Sequence, residues 1–537
     1  MKKIGSLFTK ILLAGAIVAV GVVVLNNGVL RSDNAKPVRS NKYGNFLAAQ
    51  HAVYVNDFDT AARFSQTLDD GDIPAVQNIK TMSAFLSGQM PDGVDGLKKE
   101  SGTPARLIYD AYLVANDKWD EMYSRHNTDK SALAAPLRIW ASVATNHKTE
   151  ALKFIDSLET SDSWKAFVRG QIYAETDNVE RAADEFAKVR PSFMNINDYL
   201  YIMSFYNHNN MTELADILRD AFTEMPGGMF MVGFENIPDW SEYSGYKNAL
   251  AFSLIQNVSH TQVMMYSDLS VLLLRFAQIT SGDGVDKADA INYYLGQFFF
   301  NNGGDYAYYF SQIDSDSPFY PFARLRMAEG AHDVLSLRRV LRAYPTFVPA
   351  IKKLTAYYVS RGERRAALKI LNRAMNRDSL SDENHAFFLK SRAQVHFAFG
   401  DLNDAQSDLR AASDVLEVDG EILALQAKIW AAENREIETA YEYAMTLVKR
   451  NPSEVFAWDV LGRVVAAREG ADAALELIER VGEVAKDCSS LFENLGDLYV
   501  MVGNDKMARD AYMRAIELAD DGLVVVPQIR HKLRKLK

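Results

Sequence analysis

The chain has 537 residues, of which 48% are hydrophobic and 24% charged, with 30 glycines and 14 prolines. This composition excludes collagen-like, low-complexity and wholly disordered proteins, and the length suits either several ordinary domains or one extended repeat array. The 59 Lys and Arg residues against 70 Asp and Glu residues give a net charge of −11 at pH 7, so no nucleic-acid partner is expected.

Residues 1–30 have the form of a bacterial export signal or membrane anchor. Lys2, Lys3 and Lys10 precede an uncharged, mostly apolar run at 11–30, and basic residues before an apolar run are typical of such segments. The 20 residues of this run are just enough for a helix to cross a hydrocarbon core of ~30 Å. Small residues do not occupy the positions that a signal peptidase requires, so we favour an uncleaved anchor.

We therefore predict an N-terminal hydrophobic helix, a signal peptide or membrane anchor, at 1–30 and a polar linker at 31–42. The predicted location is the inner membrane, crossed once, with the body of the protein in the periplasm. The membrane would then be a partner of the protein through this apolar helix. The alternative is a soluble periplasmic protein released by signal cleavage.

Residues 43–225 contain matches to a repeated pair of helices. The segment 56–62 has the composition of a turn followed by the start of a helix, and further apolar and small residues recur at matching offsets, the best being Gly170, Tyr173, Ala182 and Phe186. No strand-like alternation competes with the helical spacing. We predict divergent helical repeats over this range.

Residues 226–344 are expected to form irregular, aromatic-rich helical repeats. The stretch 193–322 holds 26 of the 59 aromatic residues, and glycine-rich breaks fall at 226–228, 281–284 and 301–304. Two interpretations of the rings stay open. They either fill the core between repeats, or they line a groove that holds a peptide or a glycan.

The clearest periodicity lies in residues 345–520. Ala440, Ala474 and Ala508 are spaced 34 residues apart, and so are Trp458 and Phe492. The structural marks of the last two repeats are Trp458, Leu461, Gly462, Ala474, Phe492, Leu495, Gly496, Tyr499, Ala508, Tyr512 and Ala515. This pattern resembles the tetratricopeptide repeat, which has a large apolar residue, Leu-Gly and an aromatic in its first helix and small residues in its second.

The glycines of this pattern have a physical purpose. Gly462 and Gly496 let the first helix of a repeat approach its neighbour closely, because any side chain would hold the backbones apart. The repeat that begins near Glu421 departs from the pattern, since Ala427 and Lys428 stand in the places of Leu-Gly. That repeat is assigned from its second helix and its spacing.

The resemblance implies an all-α fold, a right-handed superhelical α-solenoid of antiparallel helix pairs. In that family the first helix of each repeat lines a concave groove that binds an extended peptide or a partner's helix. The polar residues expected to point into the groove are Lys352, Lys390, Gln394, Asp459, Arg463, Glu493 and Asp497. These side chains either bind a protein or peptide partner or merely solvate the concave face.

Residues 521–537 form a basic amphipathic segment. One helical face carries Val525, Ile529, Leu533 and Leu536, and the basic side chains of the segment, Lys532 among them, face away from it. We predict a basic C-terminal capping helix that solvates the end of the array. Contact with lipid headgroups is the alternative.

No motif of catalytic chemistry is present in the sequence. The nine histidines do not form a zinc-binding pair on one helix face, and the P-loop, the dinucleotide fingerprint and the nucleophile elbow are missing. The only cysteine, Cys488, excludes an internal disulfide and a multi-cysteine metal site. We therefore predict no catalytic residues, no metal, no cofactor and no enzymatic activity.

The leading functional hypothesis is a non-enzymatic scaffold that binds a peptide or a partner helix in its groove during envelope assembly. One alternative is an accessory subunit of surface polysaccharide export or synthesis, whose aromatic middle contacts glycan. Another is an adaptor that faces the cytoplasm. A further one is an enzyme with an unrecognised catalytic segment within 225–345.

Overall fold

The computed structural model describes residues 42–68, 74–99, 102–224, 237–260, 268–281, 285–331, 333–376, 380–416, 419–485, 488–519 and 524–536. Within these ranges the regular structure consists of 28 α-helices and short turns of 3₁₀ helix, with no β-strand. The prediction of an all-α fold is therefore confirmed for the described part of the chain.

The prediction of a single-pass inner-membrane protein is wrong for the part of the chain that the structure describes. None of the helices there is long and apolar enough to cross a membrane. The apolar run at 11–30, from which that location was inferred, lies outside the described residues, as does 31–41 of the linker.

The chain divides into two compact units, Met1–Ser83 and Ala84–Lys537. In the described part of the first unit, α1 (Lys42–Tyr54) and α2 (Phe58–Gln66) pack as a helical hairpin, and α3 (Pro74–Leu86) begins. Asp57 caps α2 because its side chain accepts a hydrogen bond from the Thr60 amide. Small buried residues on both helices, such as Ala49 and Ala61, let the two backbones approach closely.

Fourteen helices of the second unit are described between residues 103 and 343. In chain order they are α4 Thr103–Ala115, α5 Trp119–His126, α6 Ala135–Ala144, α7 Lys148–Ser157, α8 Asp162–Ala174, α9 Val179–Phe186, α10 Ile196–His208, α11 Thr212–Glu224, α12 Tyr246–His260, α13 Asp268–Ser281, α14 Val285–Asn302, α15 Tyr306–Ser311, α16 Tyr320–Gly330 and α17 Val334–Ala343. From α4 to α11, helices that follow each other within a pair pack side by side across short turns. Left-handed residues such as Asp117, Asn146 and Asp177 make these turns.

Helix α12 departs from this regular order, because it lies across the earlier pairs. Trp140 of α6 donates a hydrogen bond to Ser253 Oγ at 2.8 Å, and Gln256 donates to Asp198 of α10 at 2.8 Å. Nine of the 15 residues of α12 are buried. The protein therefore covers the facing surfaces of α6 and α10 with a helix of its own.

The described aromatic side chains of the middle of the chain are mostly core. Tyr201 has none of its surface exposed, and its ring centroid lies 5.2 Å from that of Trp240 and 4.6 Å from that of Phe252. Tyr293 packs in the same way against Phe319, at 5.4 Å. These tilted and edge-to-face contacts support the interpretation of the rings as filler between helices.

The last eleven helices contain the sequence marks of the repeat. They are α18 Val348–Ser360, α19 Arg364–Met375, α20 Asp382–Ala398, α21 Leu402–Ser413, α22 Gly420–Ala432, α23 Ile437–Arg450, α24 Val455–Glu469, α25 Ala471–Val484, α26 Ser489–Met501, α27 Asp505–Glu517 and α28 Val526–Lys535. A Cβ built on Gly462 of α24 would lie 2.7 Å from Ile478 Cδ1 of α25, and one on Gly496 of α26 would overlap the Tyr512 ring of α27. The two glycines thus lie where the helices of a pair meet.

Candidate functional site

A cavity of about 410 Å³ lies along the C-terminal helix pairs. Its walls come mainly from the first helices of successive pairs, α18, α20, α22, α24 and α26, and α28 contributes the remaining side. Much of the apolar lining is aromatic and includes Phe387, Phe388, Phe399 and Phe456. A concave site with an aromatic lining and a few charged groups is typical of a binding site.

A second cavity, of about 520 Å³, adjoins the first. Lys352 and Ala356 of α18 line both cavities. The other walls of the second cavity include Tyr293 of α14 and Arg326 of α16. We call the two cavities, which share Lys352 and Ala356, the C-terminal groove.

The structure separates the seven predicted inward residues into two groups. Five of them line the C-terminal groove, namely Lys352, Gln394, Arg463, Glu493 and Asp497. Lys390 and Asp459 are not among the lining residues, and they are only 5% and 0% exposed. These two residues hold neighbouring helices together and are not available to a partner.

Asp459 is the centre of a buried charge network. Lys428 donates to its Oδ2 at 2.7 Å and Arg463 to its Oδ1 at 3.0 Å, while Ser490 and Asn494 also donate to the carboxylate. Burial raises the pKa of Asp459, but the charges of Arg463 and Lys428 outweigh burial and hold it well below its usual range. The carboxylate therefore stays ionised and joins α22, α24 and α26.

Lys428 is a member of this network that the sequence identified only as a departure from the repeat. It lies 34 residues before Gly462, in the glycine position of its own repeat. Its ammonium also lies 4.7 Å from the centroid of the Phe456 ring, a favourable cation–π geometry. A lysine in the position where the repeat normally has glycine is the sequence feature that indicates a buried counterion.

Lys390 makes a second, smaller ion cluster between α20 and α22. Its ammonium lies 2.7 Å from Asp419 Oδ2 and 2.8 Å from Glu421 Oε2. Burial lowers the pKa of Lys390, but the hydrogen bonds to Asp419 and Glu421 outweigh burial, so the net direction is upward. Asp419 also accepts from the Ile422 amide at 2.8 Å and so caps α22.

Lys352 is an exposed cation of the groove, and it differs from the neighbouring exposed Lys353, whose ammonium lies 3.6 Å from Glu329 Oε1. The Lys352 ammonium lies 5.1 Å from the centroid of the Phe387 ring, and no carboxylate of the described residues lies within ion-pair distance of it. Lys352 therefore brings a positive charge to the point where the two cavities meet.

The acidic residues at the other end of the groove are covered by α28. Lys532 donates to Glu493 Oε1 at 2.9 Å and to Asp497 Oδ1 at 2.7 Å, and Tyr512 donates to Asp497 Oδ1 at 2.6 Å. The sequence assigned Lys532 to the outward, basic side of its helix. Nothing in the repeat pattern indicated that this helix turns back toward α26.

The described residues contain no cluster of His, Cys, Asp and Glu that could hold a metal ion. Cys488 is buried immediately before α26, where a thiol is poorly placed for chemistry with a substrate. The C-terminal groove offers charged groups, aromatic surface and a concave shape.

No protein-family model and no curated protein matches the sequence. Similar solved structures include a tetratricopeptide repeat protein from Parabacteroides merdae, with 13% identity and a TM-score of 0.30 over 54% of this chain and 98% of that one. The APC/C hetero-tetramer Cut9-Hcn1 has 13% identity and a TM-score of 0.34 over 91% and 96% of the two chains. Yeast Tom70 has 10% identity and a TM-score of 0.29 over 92% and 97%. Likeness at this level identifies neither a ligand nor a partner of this chain.

Proposed function

We propose that the protein is a non-enzymatic scaffold that binds a peptide or helical segment of a partner protein in the C-terminal groove. The observation that carries the proposal is the cavity of about 410 Å³ walled by the first helices of five successive pairs. Among the described N-terminal pairs of the second unit, α12 packs against α6 and α10. The C-terminal groove instead keeps open space beside α28.

The lining of the groove suits a peptide better than a small metabolite. Phe397, Phe399 and Phe456 are partly exposed in the lining and offer an aromatic surface for apolar side chains. Aromatic anchors supply much of the energy of such interfaces. The exposed ammonium of Lys352, which lies against the Phe387 ring, fixes the register of a partner that carries an acidic side chain.

The process served by the partner does not enter this proposal. Envelope assembly was inferred from the N-terminal segment, which lies outside the described residues. Surface polysaccharide binding was inferred from the aromatic middle, where the described rings such as Tyr201 and Phe252 are buried. The proposal is therefore restricted to capture of a protein segment by the groove.

Site-specific photo-crosslinking in cells tests the proposal. A photoreactive amino acid is placed at Lys352 or at Gln394, both of which line the groove, and the attached proteins are identified by mass spectrometry. We expect the same partner from both positions. Phe456→Ala, at a partly exposed ring of the lining, should reduce its yield by about tenfold, which corresponds to about 1.4 kcal/mol.

The matched control is a photoreactive group at Lys369, an exposed residue of α19 that lines neither cavity. It should not capture the partner. If Lys369 captures the same proteins as Lys352 and Gln394, or if the two groove positions capture none, the proposed function is wrong.

A further inference from the structure

Helix α28 lies against the C-terminal groove and reaches back past several helix pairs. A Cβ built on Gly362, in the turn between α18 and α19, would lie 3.0 Å from Pro527 Cγ at the start of α28. Val525 joins the apolar core built from α16 to α22, whereas Ile529 joins the core built from α22 to α27. At the far end Lys532 binds α26. The helix therefore bridges the two ends of this part of the array.

The contacts of α28 are those of a ligand in a binding groove. Its apolar side is buried through Ile529 and through Val524 and Val525 immediately before the helix. One lysine on its polar side is held by the two carboxylates of Glu493 and Asp497. Gln528 and Lys532 of this helix line the open cavity. An amphipathic helix that places its apolar face in a groove and its charges on the rim is a recurrent mode of peptide recognition.

Two helices of this chain, α12 and α28, each contact several earlier helix pairs, and they differ in how firmly they are held. Nine of the 15 residues of α12 are buried, and its hydrogen bonds to Trp140 and Asp198 are buried too. In α28 itself only Ile529 of the ten residues is buried, and Val524 and Val525 are buried immediately before the helix. Because opening of a segment costs less when it buries less apolar surface, α28 is the one suited to leave its place.

We propose that α28 is a built-in occupant of the C-terminal groove, which the partner displaces with a short basic amphipathic helix of the same kind. The inference rests on the proposed function and adds the chemistry of the partner. The partner helix carries apolar residues one turn apart for the positions of Val525 and Ile529 and a lysine or arginine for the Glu493–Asp497 pair. Until the partner helix binds, Lys532 neutralises the Glu493–Asp497 pair.

Hydrogen exchange of the full chain tests whether α28 opens by itself. We expect its amides to exchange at least about tenfold faster than those of α26 and α27, because the helix opens locally. Lys532→Glu should speed the exchange of α28 further and leave α27 unchanged, since it places like charges beside Glu493 and Asp497. Arg534→Glu is the control, because it makes the same charge change at an exposed residue of the same helix. Equal protection of α28 and α27 in the unmodified chain would overturn the proposal.

A labelled peptide of residues 524–537 tests whether the groove recognises this kind of helix. We expect fluorescence anisotropy to show that the peptide binds the full-length Lys532→Glu chain at least about tenfold more tightly than the unmodified chain, whose own helix competes. Adding Glu493→Gln and Asp497→Asn should abolish that binding. Equal binding to the Lys532→Glu and unmodified chains, or no binding to either, would overturn the proposal.

The scaffold function and the displaceable helix can be disproved independently of each other. If cross-linking at Lys352 identifies a partner but the peptide does not bind the Lys532→Glu chain, the scaffold function stands and the displaceable helix is wrong. If the peptide binds as expected and no partner is captured at Lys352 or Gln394, the recognition of basic helices stands and the scaffold function is wrong.

Discussion

Lys428 of α22 donates a hydrogen bond to Asp459 Oδ2 of α24 at 2.7 Å, and it does so from the position where the next two repeats have Gly462 and Gly496. In those repeats the absence of a side chain leaves room for a large residue of the second helix. In α22 a lysine takes the corresponding place, and its charge is met by a carboxylate with no exposed surface. One junction of the array therefore depends on a buried ion pair where its neighbours depend on close packing.

Removal of the Asp459 carboxylate should destabilise the C-terminal pairs strongly. We expect Asp459→Ala to lower the free energy of unfolding by about 3–5 kcal/mol, because Lys428 would remain as a buried charge without its counterion and the partly buried Arg463 would lose the same carboxylate. Urea unfolding at neutral pH measures the change. The control is Glu517→Ala, which breaks an exposed ion pair with Arg514 and should cost less than about 1 kcal/mol. Similar losses for the two variants would contradict this account of the network.

The Asp459 carboxylate should also make the stability of the folded protein sensitive to acid. The pKa of Asp459 is lower in the folded protein than the ordinary value, because the attraction of Arg463 and Lys428 outweighs burial. Such a group stabilises the folded state above its unfolded pKa, and the stabilisation is lost as the pH falls below about 4. We expect the free energy of unfolding to fall more steeply between about pH 4 and pH 2 in the unmodified chain than in Asp459→Asn. Parallel pH profiles would show that Asp459 does not carry the effect.

The regular part of the fold followed from the spacing of a few residues. The interval of 34 between Ala474 and Ala508 fixes the register of the last helix pairs, because each interval returns the same helix face to the same neighbour. The path of α12 could not be derived in this way. Its hydrogen bonds to Trp140 and Asp198 join residues more than fifty positions apart, and nothing in a local apolar pattern states which distant surface a helix will cover.

The sequence likewise predicted the candidate site in part. Register alone places Lys352 and Glu493 on the inner face, and both line the groove. Register does not state whether a residue on that face will be covered by a neighbour. Lys390 is covered because Asp419 and Glu421 of the next pair reach it, and Asp497 is covered because a helix from the end of the chain returns to it.

The close approach at Gly462 should not tolerate even one methyl group. A Cβ there would lie 2.7 Å from Ile478 Cδ1, and Ile478 is fully buried. We expect Gly462→Ala to cost about 1–3 kcal/mol through overpacking. Gly44→Ala is the matched control, since Gly44 is also helical and a Cβ there meets nothing within 4 Å. It should be neutral or should stabilise by up to about 1 kcal/mol. If thermal unfolding ranks the two variants the other way, the packing argument is wrong.

Asp419 and Glu421 both bind Lys390, yet their removal should have unequal effects. Asp419 also caps α22 through the Ile422 amide, so Asp419→Ala loses a cap and an ion pair, whereas Glu421→Ala loses only an ion pair. We expect about 1–3 kcal/mol for the first and less than about 1 kcal/mol for the second. Hydrogen exchange at the first turn of α22 distinguishes the two effects, because only Asp419→Ala should speed it. Equal exchange in both variants would rule out the capping role.

Glu175 should make the second unit less stable as the pH rises toward neutrality. Its Oε2 accepts from the Gly245 amide at 2.7 Å, and its Oε1 is buried without a hydrogen-bond partner among the described residues. Burial raises the pKa of Glu175 to about 7, although the Gly245 hydrogen bond opposes this. The carboxyl therefore binds its proton more tightly in the folded state than in the unfolded state, where its pKa is near 4.5.

Stability linked to Glu175 is fully present below about pH 4.5 and is lost as the pH rises through about 7, by about 3 kcal/mol in total. We expect Glu175→Gln to remove this dependence, because the amide oxygen still accepts from Gly245 and carries no charge. Urea unfolding should give equal free energies for the two proteins near pH 4.5 and a more stable variant at pH 8. Glu180→Gln, at an exposed residue in the first turn of the next helix, should leave the pH profile unchanged. If the Glu175→Gln profile stays parallel to that of the unmodified chain, the buried carboxyl is not the source of the dependence.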